Sequence, residues 1–341
     1  MKTAVVILNW NTKGFLEEFL PPLLNSVAKC DGAEVIVADN ASSDGSLEMM
    51  KEKFPQVKTI ALDANYGFTG GYNKALKLVE AEYLVLINSD IEVTDDWLEP
   101  LVKWMESHPD CGACAPKLHS WQEKEKFEYA GAAGGYIDRF GYPLCRGRVL
   151  KKLETDRGQY DSPKDVFWAT GACLMVRSSV YRELGGLDER FFAHMEEIDL
   201  CWRLRSRGRR IVCIPQSVAY HVGGGTLDQG NPRKTFLNFR NNLLMLYKNL
   251  PEAELHSVMR IRTLLDYIAA FKFLATFDLA NFRAVIKARK EFQRMKPDFV
   301  VQRKENLQMA VPNTIPERTD FSILWRFYAK GIKKFSQFKH L

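Results

Sequence analysis

Short apolar runs recur along the first third of the chain, and segments of helical length and mixed polarity separate them. Runs rich in Val, Ile and Leu are typical of strands that are buried on both faces of a parallel sheet. The pattern predicts strands at residues 3–10, 34–40, 57–63, 82–90 and 111–117. Because these strands alternate with helical segments, we expect βαβ units and an α/β fold with a mostly parallel central sheet.

The pattern changes near residue 119, where repeated glycines predict hairpins or a loop. The elements predicted beyond it are a strand and a short helix in 168–186, a helix over 196–207 and a strand over 210–221. After a glycine-rich loop, the remainder is predicted to be mainly helical. We therefore divide the chain into an α/β domain at residues 1–222 and a loop and basic helical region at residues 223–341.

Charge separates the same two parts of the chain. The net charge is +6, but the residues from 233 onward carry 21 Lys and Arg against 9 Asp and Glu, or +12, which leaves −6 for residues 1–232. Parts of opposite charge indicate different partners. No nucleic-acid-binding module accompanies the basic part, so we do not expect a nucleic-acid partner.

The last basic segment, residues 321–338, has the pattern of an amphipathic helix. Its apolar face comprises Phe321, Leu324, Trp325, Tyr328, Ile332 and Phe335, and its basic face comprises Arg326, Lys330, Lys333 and Lys334. Basic, aromatic helices of this kind lie on anionic membrane surfaces. The alternative is that the apolar face packs on the rest of the chain or on a second subunit of an oligomer.

Cysteine usage and hydropathy both bear on location. The seven cysteines are scattered, mostly within apolar stretches, which predicts buried thiols in a reducing compartment. The first residues fail as a signal peptide, and no apolar stretch reaches the length of a membrane span, since Asp266 and Lys272 interrupt the nearest one. We expect a cytoplasmic protein that is peripheral on the cytoplasmic face of the inner membrane.

Polar residues mark the carboxyl end of each predicted strand, which is where open α/β sheets bind ligands. They are Asn9 and Asn11, Asp39 and Asn40, Asp63 and Asn65, and Asn88 and Asp90. Such a rim suits a ligand with many hydroxyls and ring nitrogens, as in a nucleotide sugar. Any one of these residues could instead cap a helix or a turn.

The diphosphate of a nucleotide sugar needs a glycine-rich anion cradle or a carboxylate-held metal. Neither a G-x-G-x-x-G after the first strand nor a P-loop motif is present, so the metal route remains. Asp90 is the expected ligand of Mg²⁺ or Mn²⁺, and His221, at a strand end before a glycine loop, is the expected second ligand. The competing interpretation of His221 is a polar cap.

Transfer of a sugar with inversion also needs a carboxylate that accepts the proton of the attacking hydroxyl. Glu196 and Glu197 open a predicted helix near the expected cleft, and a helix amino terminus favours their ionised form. The competing interpretation is that the two residues only favour the start of the helix.

Together, these residues resemble the family-2 glycosyltransferases, in particular the rhamnosyltransferase-like group of bacterial polysaccharide biosynthesis, from Val5 to about His221. The resemblance implies a Rossmann-like nucleotide-diphospho-sugar transferase fold of the GT-A type. It also implies transfer of a sugar, with rhamnose as one candidate, from a nucleoside diphosphate to a glycan acceptor, expected to be lipid-linked. The products would be cell-surface polysaccharide or O-antigen.

The family motifs assign roles to further residues. VVILNWN resembles the donor-contacting first strand, and VADNASSDGS resembles the segment that reads the nucleotide, with Asp39 on the base. NYGFTGGYN resembles a donor-side turn, and INSD resembles the acidic metal motif with Asn88 in place of its first Asp. The residues that the two motifs add to the donor site are Asn65, Gly67, Phe68, Asn73, Asn88 and Ser89.

The acceptor side is implied by a second block of the resemblance. WATGA would place Trp168, Thr170, Gly171 and Ala172 against the acceptor, and MEEIDLCWR would put Glu197 at the position of the catalytic base, with Glu196 beside it. Two other functions stay open. A catalytically inactive protein that binds sugar nucleotide or glycan is one, and a nucleotidyltransferase is the other, although the basic glycine-rich loop of the latter is missing.

Overall fold

The computed structural model describes residues 1–223, 230–312, 314–338 and 341. Its strands are β1 (Thr3–Asn9), β2 (Ala33–Asp39), β3 (Lys58–Ala61), β4 (Tyr83–Ile87), β5 (Ile91–Val93), β6 (Cys111–Ser120), β7 (Gly135–Ile137), β8 (Pro143–Cys145), β9 (Arg148–Val149), β10 (Lys152–Leu153), β11 (Lys164–Asp165), β12 (Cys173–Arg177) and β13 (Arg210–His221).

Helices fill both faces of the sheet and make up most of the carboxyl-terminal third. They are α1 (Lys13–Val27), α2 (Ser46–Lys53), α3 (Gly67–Lys77), α4 (Leu98–Ser107), α5 (Ser178–Glu183), α6 (Glu196–Ser206), α7 (Pro232–Asn249), α8 (Glu252–Ala275), α9 (Leu279–Met295), α10 (Val300–Met309) and α11 (Ile323–Tyr328). Turns of 3₁₀ helix lie at Glu189–Phe191, Lys296–Phe299 and Phe335–Gln337.

The main sheet is mixed, with the strand order β11-β13-β6-β12-β4-β1-β2-β3. The four strands β3, β2, β1 and β4 run parallel, as the alternation of strands and helices predicts. Every residue of β4 is buried because helices cover both faces of the sheet. The predicted strands at the start of the chain, the helix near 196–207 and the strand over 210–221 are all confirmed within a few residues.

Two antiparallel insertions were not predicted. β12 lies between β4 and β6 and is antiparallel to both, while the short β5 pairs antiparallel with the far end of β13. The glycine-interrupted segment forms a separate antiparallel sheet in the order β10-β9-β8-β7, which confirms the predicted hairpins. The positions of β12 and β5 in the main sheet depend on contacts between distant parts of the chain, and local patterns do not specify such contacts.

The prediction of one helix over 321–338 is wrong, and a membrane contact of this segment stays a prediction. In that segment α-helix is confined to α11 (Ile323–Tyr328), and Gly331 has a positive φ of 66°. Phe335 and Phe338 are buried at 3% and 6% exposure, and the rings of Phe321 and Phe338 stack at 5.2 Å. Phe335 and Phe338 therefore cover the protein core, as in the alternative considered for this segment, whereas Trp325 and Tyr328 stay exposed.

The predicted burial of the cysteines is confirmed for all but Cys30. All seven cysteines are free, and six of them are buried. Among the residues that the structure describes, no helix combines the length and the apolar character needed to cross a bilayer.

Candidate active site

Strand pairing brings Asp90 and His221 together at the carboxyl end of β4. The register of β5 with β13 sets His221 opposite Ile91, and the amide of Val222 donates a hydrogen bond of 3.1 Å to the Asp90 carbonyl. As a result, Asp90 Oδ1 lies 3.2 Å from His221 Nε2, and both side chains are buried. The expected pair of metal ligands is thus adjacent, although 131 positions separate the two residues in the sequence.

Glu128 completes this group from the opposite side of the imidazole. Its Oε1 lies 3.1 Å from His221 Nδ1, and its Oε2 accepts hydrogen bonds from the amides of Ala130 and Gly131 at 2.6 and 3.0 Å. The sequence analysis missed Glu128, which lies in the glycine-interrupted segment where no periodicity marks its neighbours. The imidazole therefore lies between two buried carboxylates.

The protonation states follow from this arrangement. Burial alone would raise the pKa of Asp90, but the contact with His221 outweighs it and holds that pKa below the usual value. Burial disfavours the imidazolium ion, yet Glu128 and Asp90 together raise the pKa of His221 to about 10. At neutral pH and without a metal, the histidine is therefore protonated beside an ionised Asp90, and a cation bound at Nε2 would have to displace that proton.

The donor atoms fit a divalent cation that completes its shell with other ligands. Two ligands at right angles with bonds of about 2.1 Å lie about 3 Å apart, close to the separation of Asp90 Oδ1 and His221 Nε2. Glu128 contacts the other ring nitrogen, which is how carboxylates orient metal-binding histidines. No three His, Cys, Asp or Glu side chains in the described ranges form a complete metal site. Waters and substrate phosphates would have to supply the remaining ligands.

A hydrogen-bonded network links the ends of β1, β2 and β4. Asn9 Nδ2 donates to Asp39 Oδ1 at 2.7 Å, and the Thr12 hydroxyl donates to Asn9 Oδ1 at 2.5 Å. The same hydroxyl lies 2.8 Å from that of Ser89. Ser42 closes the network because its amide donates to Asp39 Oδ2 at 2.9 Å. Thr12 and Ser42 were missed by the sequence analysis because neither ends a strand.

Other predicted donor residues lie close to this network. Asn11 has a positive φ of 54°, and its Oδ1 accepts a 2.7 Å hydrogen bond from the amide of Ser43. Asn40 is buried, and its Nδ2 donates to Asn65 Oδ1 and to the carbonyl of Gly67, both at 3.0 Å. These contacts fix the turn that starts α3 beside the strand ends.

Asn73 lies elsewhere and has other partners. Its Nδ2 donates to the Leu187 carbonyl at 2.7 Å, and its Oδ1 accepts from the Tyr181 hydroxyl at 2.8 Å and from the Leu187 amide at 3.0 Å. These bonds join α3 to the segment that follows α5. Their effect is to hold the donor-side helix against the neighbouring chain.

The loop before α6 has an unusual backbone. Phe192, His194 and Met195 all have positive φ values, between 68° and 71°, which non-glycine residues rarely adopt. Asn241 of α7 stabilises this loop because its Nδ2 donates to the carbonyls of Phe191, Ala193 and His194 at 2.8–3.0 Å. We call Phe191–Met195 the acid loop. Asn241 was missed because a buried Asn within a helix has no local signature.

The acid loop also contacts the donor side. The carbonyl of Phe192 accepts hydrogen bonds from the amides of Phe68 and Thr69 at 3.1 and 3.3 Å, at the amino terminus of α3. Gly67 has a φ of 69°, and a Cβ atom there would lie 2.6 Å from the Phe192 ring. A larger residue at position 67 would therefore displace the acid loop.

Glu196 and Glu197 begin α6 immediately after the acid loop. Among the described residues, Oε2 of each is buried and has no hydrogen-bond partner. Burial raises the pKa of Glu197 to about 7, and backbone amides of the first turn offset this only in part. Burial, followed by the charge of Glu197, raises the pKa of Glu196 well above its usual value. His194 is the opposite case, since burial lowers its pKa to about 4 and keeps it neutral.

The segment 170–172 connects the two groups of carboxylates. The Asn88 amide donates to the Ala172 carbonyl at 2.9 Å, which places the segment beside the end of β4. A Cβ atom on Gly171 would lie 3.3 Å from the Phe68 ring and 3.6 Å from Glu197 Cβ. The end of β4, the start of α3 and Glu197 therefore surround one glycine.

Two further acceptor-side predictions fall on buried residues. Trp168 is 2% exposed and donates from Nε1 to the Tyr136 carbonyl at 2.9 Å, so its ring supports the segment from behind. The hydroxyl of Thr170 accepts a 3.2 Å hydrogen bond from the Ala172 amide, which rigidifies the turn before β12.

Comparison with known proteins identifies relatives of this arrangement. The family model described as glycosyl transferase family 2 matches residues 4–185. The N-acetylglucosaminyl-diphospho-decaprenol L-rhamnosyltransferase of Mycobacterium tuberculosis is 27% identical over 235 residues, which cover 64% of this chain and 75% of that protein. Rhamnosyltransferase WbbL of Escherichia coli K12 is 26% identical over 215 residues, covering 60% of this chain and 79% of the relative.

Solved structures show the same fold at low sequence identity. The structure of GalNAc-T7 with UDP, GalNAc and Mn²⁺ matches 100% of this chain and 58% of its own, with a TM-score of 0.63 and 15% identity. Mannosyltransferase PcManGT from Pyrobaculum calidifontis, in complex with GDP-Man and Mn²⁺, matches 90% of this chain and 87% of its own, with a TM-score of 0.52 and 15% identity. These matches establish a fold of the GT-A type.

Proposed function

The chain belongs to glycosyl transferase family 2 and is a glycosyltransferase, and from this we propose that it is an inverting enzyme acting on a lipid-linked glycan acceptor. The donor would be a nucleoside-diphosphate sugar, with rhamnose as the leading candidate. The names of the two rhamnosyltransferases support this choice, and one of those names specifies an acceptor on decaprenyl diphosphate. The products would enter cell-surface polysaccharide or O-antigen.

The observation that supports transfer most directly is the contrast between two carboxylates on either side of Gly171. Asp90 is held ionised by His221, whereas Glu197 has no such partner and a pKa of about 7. Transfer needs both kinds of carboxylate, since one must be ionised to bind a metal cation near the diphosphate and the other must accept a proton. A protein that only binds glycan needs neither.

On the donor side, Asp90 and His221 would hold Mn²⁺ or Mg²⁺, with Glu128 fixing the ring orientation. The bound cation would stabilise the negative charge that develops on the leaving diphosphate. Asn9, Asp39 and the residues near them would bind the nucleoside. Those residues are already hydrogen-bonded to one another, so the rim is organised before the donor arrives.

The chemical step would be one in-line displacement with Glu197 as the base. The acceptor oxygen forms a bond to the anomeric carbon while Glu197 takes its proton, and the bond from that carbon to the diphosphate breaks with its electron pair on the leaving group. Attack from the opposite side inverts the configuration. A pKa of about 7 suits this role because about half of the Glu197 side chains are ionised at neutral pH and the carboxylate is still basic enough to take a proton.

The experiment that tests this proposal is a thermal-shift panel with UDP, dTDP, GDP and CDP, each with and without Mn²⁺ or Mg²⁺. A ligand that binds the folded state raises the melting temperature. We expect a cation-dependent shift for one nucleotide, absent in Asp90→Ala and retained in Glu92→Ala, which removes a carboxylate that pairs with Lys124. The matching nucleotide sugar should then yield a glycosylated lipid-linked acceptor by mass spectrometry.

A lack of any nucleotide shift would contradict the proposal and favour the inactive glycan-binding protein. A shift without product would leave a nucleotide-binding protein that does not transfer sugar to the acceptor tested.

A further inference from the structure

Helix α8 (Glu252–Ala275) buries charged residues and exposes large apolar ones. Two of the four residues that it buries are charged, Arg262 and Asp266, at 1% and 0% exposure. Arg262 Nη2 lies 3.1 Å from Asp266 Oδ1, and Arg289 of α9 lies 2.6 Å from Asp266 Oδ2. These ion pairs satisfy the buried charges and hold this part of α8 against α9, while Val258, nearer the start of the helix, packs in the hydrophobic core.

The apolar residues of α8 lie on the opposite, exposed face. Tyr267, Ile268, Phe271 and Leu264 are 52%, 56%, 69% and 58% exposed, and their spacing of three and four residues places them on one side of the helix. Such a face is unfavourable in water, because a folded protein in solution rarely exposes a continuous apolar patch larger than a few hundred Å².

The patch continues around the turn into α9. Phe277, at the turn, is 91% exposed with a φ of 57°, and Leu279 is 47% exposed. We call this set the α8 face, and its large apolar members are Ile261, Leu264, Tyr267, Ile268, Phe271, Leu274, Phe277 and Leu279, each at least 40% exposed. The turn places Phe277, the most exposed aromatic ring of the α8 face, at the end of the α8–α9 hairpin.

The charge beside this face is mainly positive. The outward side of α9 (Leu279–Met295) carries Arg283, Lys287, Lys290 and Arg294, all exposed and spaced by four, three and four residues. From 260 to 294 there are eight Lys and Arg against three Asp and Glu. Two of these bases, Arg262 and Arg289, are buried with Asp266, and Arg294 pairs with Glu291. The third acid, Asp278, accepts a hydrogen bond from the amide of Asn281. An apolar helix beside a basic helix is the pattern of proteins that lie on anionic lipid.

We propose that the α8 face and the adjoining basic side of α9 dock on an anionic membrane leaflet. Phe271, Phe277 and their neighbours enter the boundary between headgroups and acyl chains, while the basic residues of α9 bind the headgroups. This inference rests on the proposed function only in that a lipid-linked acceptor would require the enzyme at a bilayer. The surface itself is independent of sugar transfer.

Charge favours a bilayer over a second copy of the chain. A symmetric dimer through α8 would bring the two basic rows of α9 towards the same interface, where like charges repel and find no acidic partner surface. An anionic leaflet complements that row, and each Lys or Arg near such a surface adds attraction. Lys272, exposed between Phe271 and Phe273, can extend its amine to the headgroups while its stem stays in the apolar layer.

The proposed surface is also close to the catalytic elements. α9 packs on α7 (Pro232–Asn249), and α7 supplies Asn241 to the acid loop. A single helix therefore separates the membrane-facing hairpin from the loop that precedes Glu197. This placement would hold the base near an acceptor that extends from the leaflet.

The test is co-sedimentation of the full chain with vesicles of phosphatidylcholine alone or mixed with phosphatidylglycerol. We expect strong binding to the mixed vesicles and weak binding to the neutral ones. The double variant Phe271→Ser/Phe277→Ser should lower the partition coefficient about tenfold or more, because two inserted aromatic rings are lost. Lys287→Glu/Lys290→Glu should abolish the preference for anionic lipid.

The matched control is Trp325→Ala/Tyr328→Ala, which removes two aromatic side chains, 62% and 69% exposed, from the segment after α10. It should bind vesicles like the original chain. Equal loss in this control and in the Phe271/Phe277 variant would overturn the assignment to the α8 face. So would a lack of vesicle binding, or a dimer in analytical ultracentrifugation that the Phe271/Phe277 variant converts to monomer.

A parallel transfer assay with a short-chain, detergent-soluble acceptor separates this inference from the proposed function. The Phe271/Phe277 variant should retain turnover on that acceptor. Vesicle binding without any sugar transfer would contradict the proposed function and leave the docking surface standing. Sugar transfer without vesicle binding would do the reverse.

Discussion

Two buried acidic groups in this molecule have pKa values that are shifted in opposite directions. At the end of β4, Asp90 is 7% exposed and its pKa is lowered. At the start of α6, Glu196 is 4% exposed and its pKa is raised. Burial raises both pKa values, and the neighbouring groups set the difference: the contact with His221 lowers the pKa of Asp90, whereas the charge of Glu197 raises that of Glu196 further.

Asp90 and Glu197, the proposed base, differ in the same way, since the pKa of Asp90 is lowered and that of Glu197 is raised. Each site depends on a residue that local pattern does not reveal: Glu128 fixes His221, and Asn241 fixes the acid loop. In the proposed mechanism, Asp90 would bind a metal cation and Glu197 would accept a proton. Substitutions that remove either difference should affect distinct steps of the reaction.

The largest effect is expected for Glu197→Gln. The amide keeps the shape but cannot accept the acceptor proton, so kcat should fall by about 10²–10⁴-fold. The cation-dependent thermal shift with nucleotide should remain, because the donor side is unchanged. A variant that retains kcat would assign the base to another group, and Glu196→Gln is the control that identifies it.

A somewhat smaller effect is expected for Asp90→Asn. Loss of the charged ligand removes stabilisation of several kcal/mol from the leaving diphosphate, which corresponds to roughly 10²–10³-fold in kcat/KM. Unlike Glu197→Gln, this variant should also lose the Mn²⁺-dependent thermal shift. Activity that is independent of Mn²⁺ in both the original chain and the variant would show that transfer proceeds without this site.

Glu128→Gln should weaken metal binding without removing a ligand. Carboxylates that orient a metal-binding histidine typically contribute 10–100-fold in affinity, and we expect a loss of about that size for Mn²⁺. Isothermal titration calorimetry in the presence of nucleotide measures this directly. Glu92→Gln, which changes a carboxylate of β5 that pairs with Lys124, is the matched control and should bind Mn²⁺ normally.

The pH profile should follow the base. Because the pKa of Glu197 is about 7, kcat/KM should rise about tenfold per pH unit below 7 and level off above it. Glu197→Gln should abolish this limb of the profile. An inflection near the usual pKa of glutamic acid in the original chain would contradict the assignment.

The smallest effect concerns stability. The folded state keeps the Glu197 proton up to about pH 7, whereas the unfolded chain releases it near 4.5, so the free energy of unfolding falls as pH rises between these values. Glu197→Gln should therefore be more stable than the original chain at pH 8, by on the order of 1–3 kcal/mol, and equal to it at pH 4. Thermal melts at both pH values measure this, and equal stability at pH 8 would contradict it.

Strand periodicity and strand ends predicted much of this architecture. The parallel strands and the position of Asp90 follow from local apolar runs, and the adjacency of Asp90 and His221 was expected because both end strands. Whether these side chains bind donor, metal and acceptor remains a prediction. Glu128 and Asn241 could not be predicted, since their roles arise from contacts with residues 93 positions downstream and about 50 positions upstream.

The two amphipathic segments show a further limit of periodicity. Residues 321–338 and α8 both have an apolar side, but the first covers the core with Phe335 and Phe338 and the second faces outward. A helical pattern indicates that apolar residues share a side and does not specify what covers them. In α8 the deciding signal is the buried Arg262–Asp266 pair, which only the packing reveals.

The hydrogen bonds around the acid loop also bear on how such enzymes can be divided or recombined. Asp199, fully buried in α6, accepts hydrogen bonds from Lys248 and Asn249 of α7 at 2.7 and 2.8 Å. A chain cut after residue 222 would keep Glu197 but lose these partners and Asn241. The residues that support the candidate active site are therefore spread over both parts of the chain. A chimera that exchanged the carboxyl-terminal helices between relatives would also exchange the residues that position Glu197.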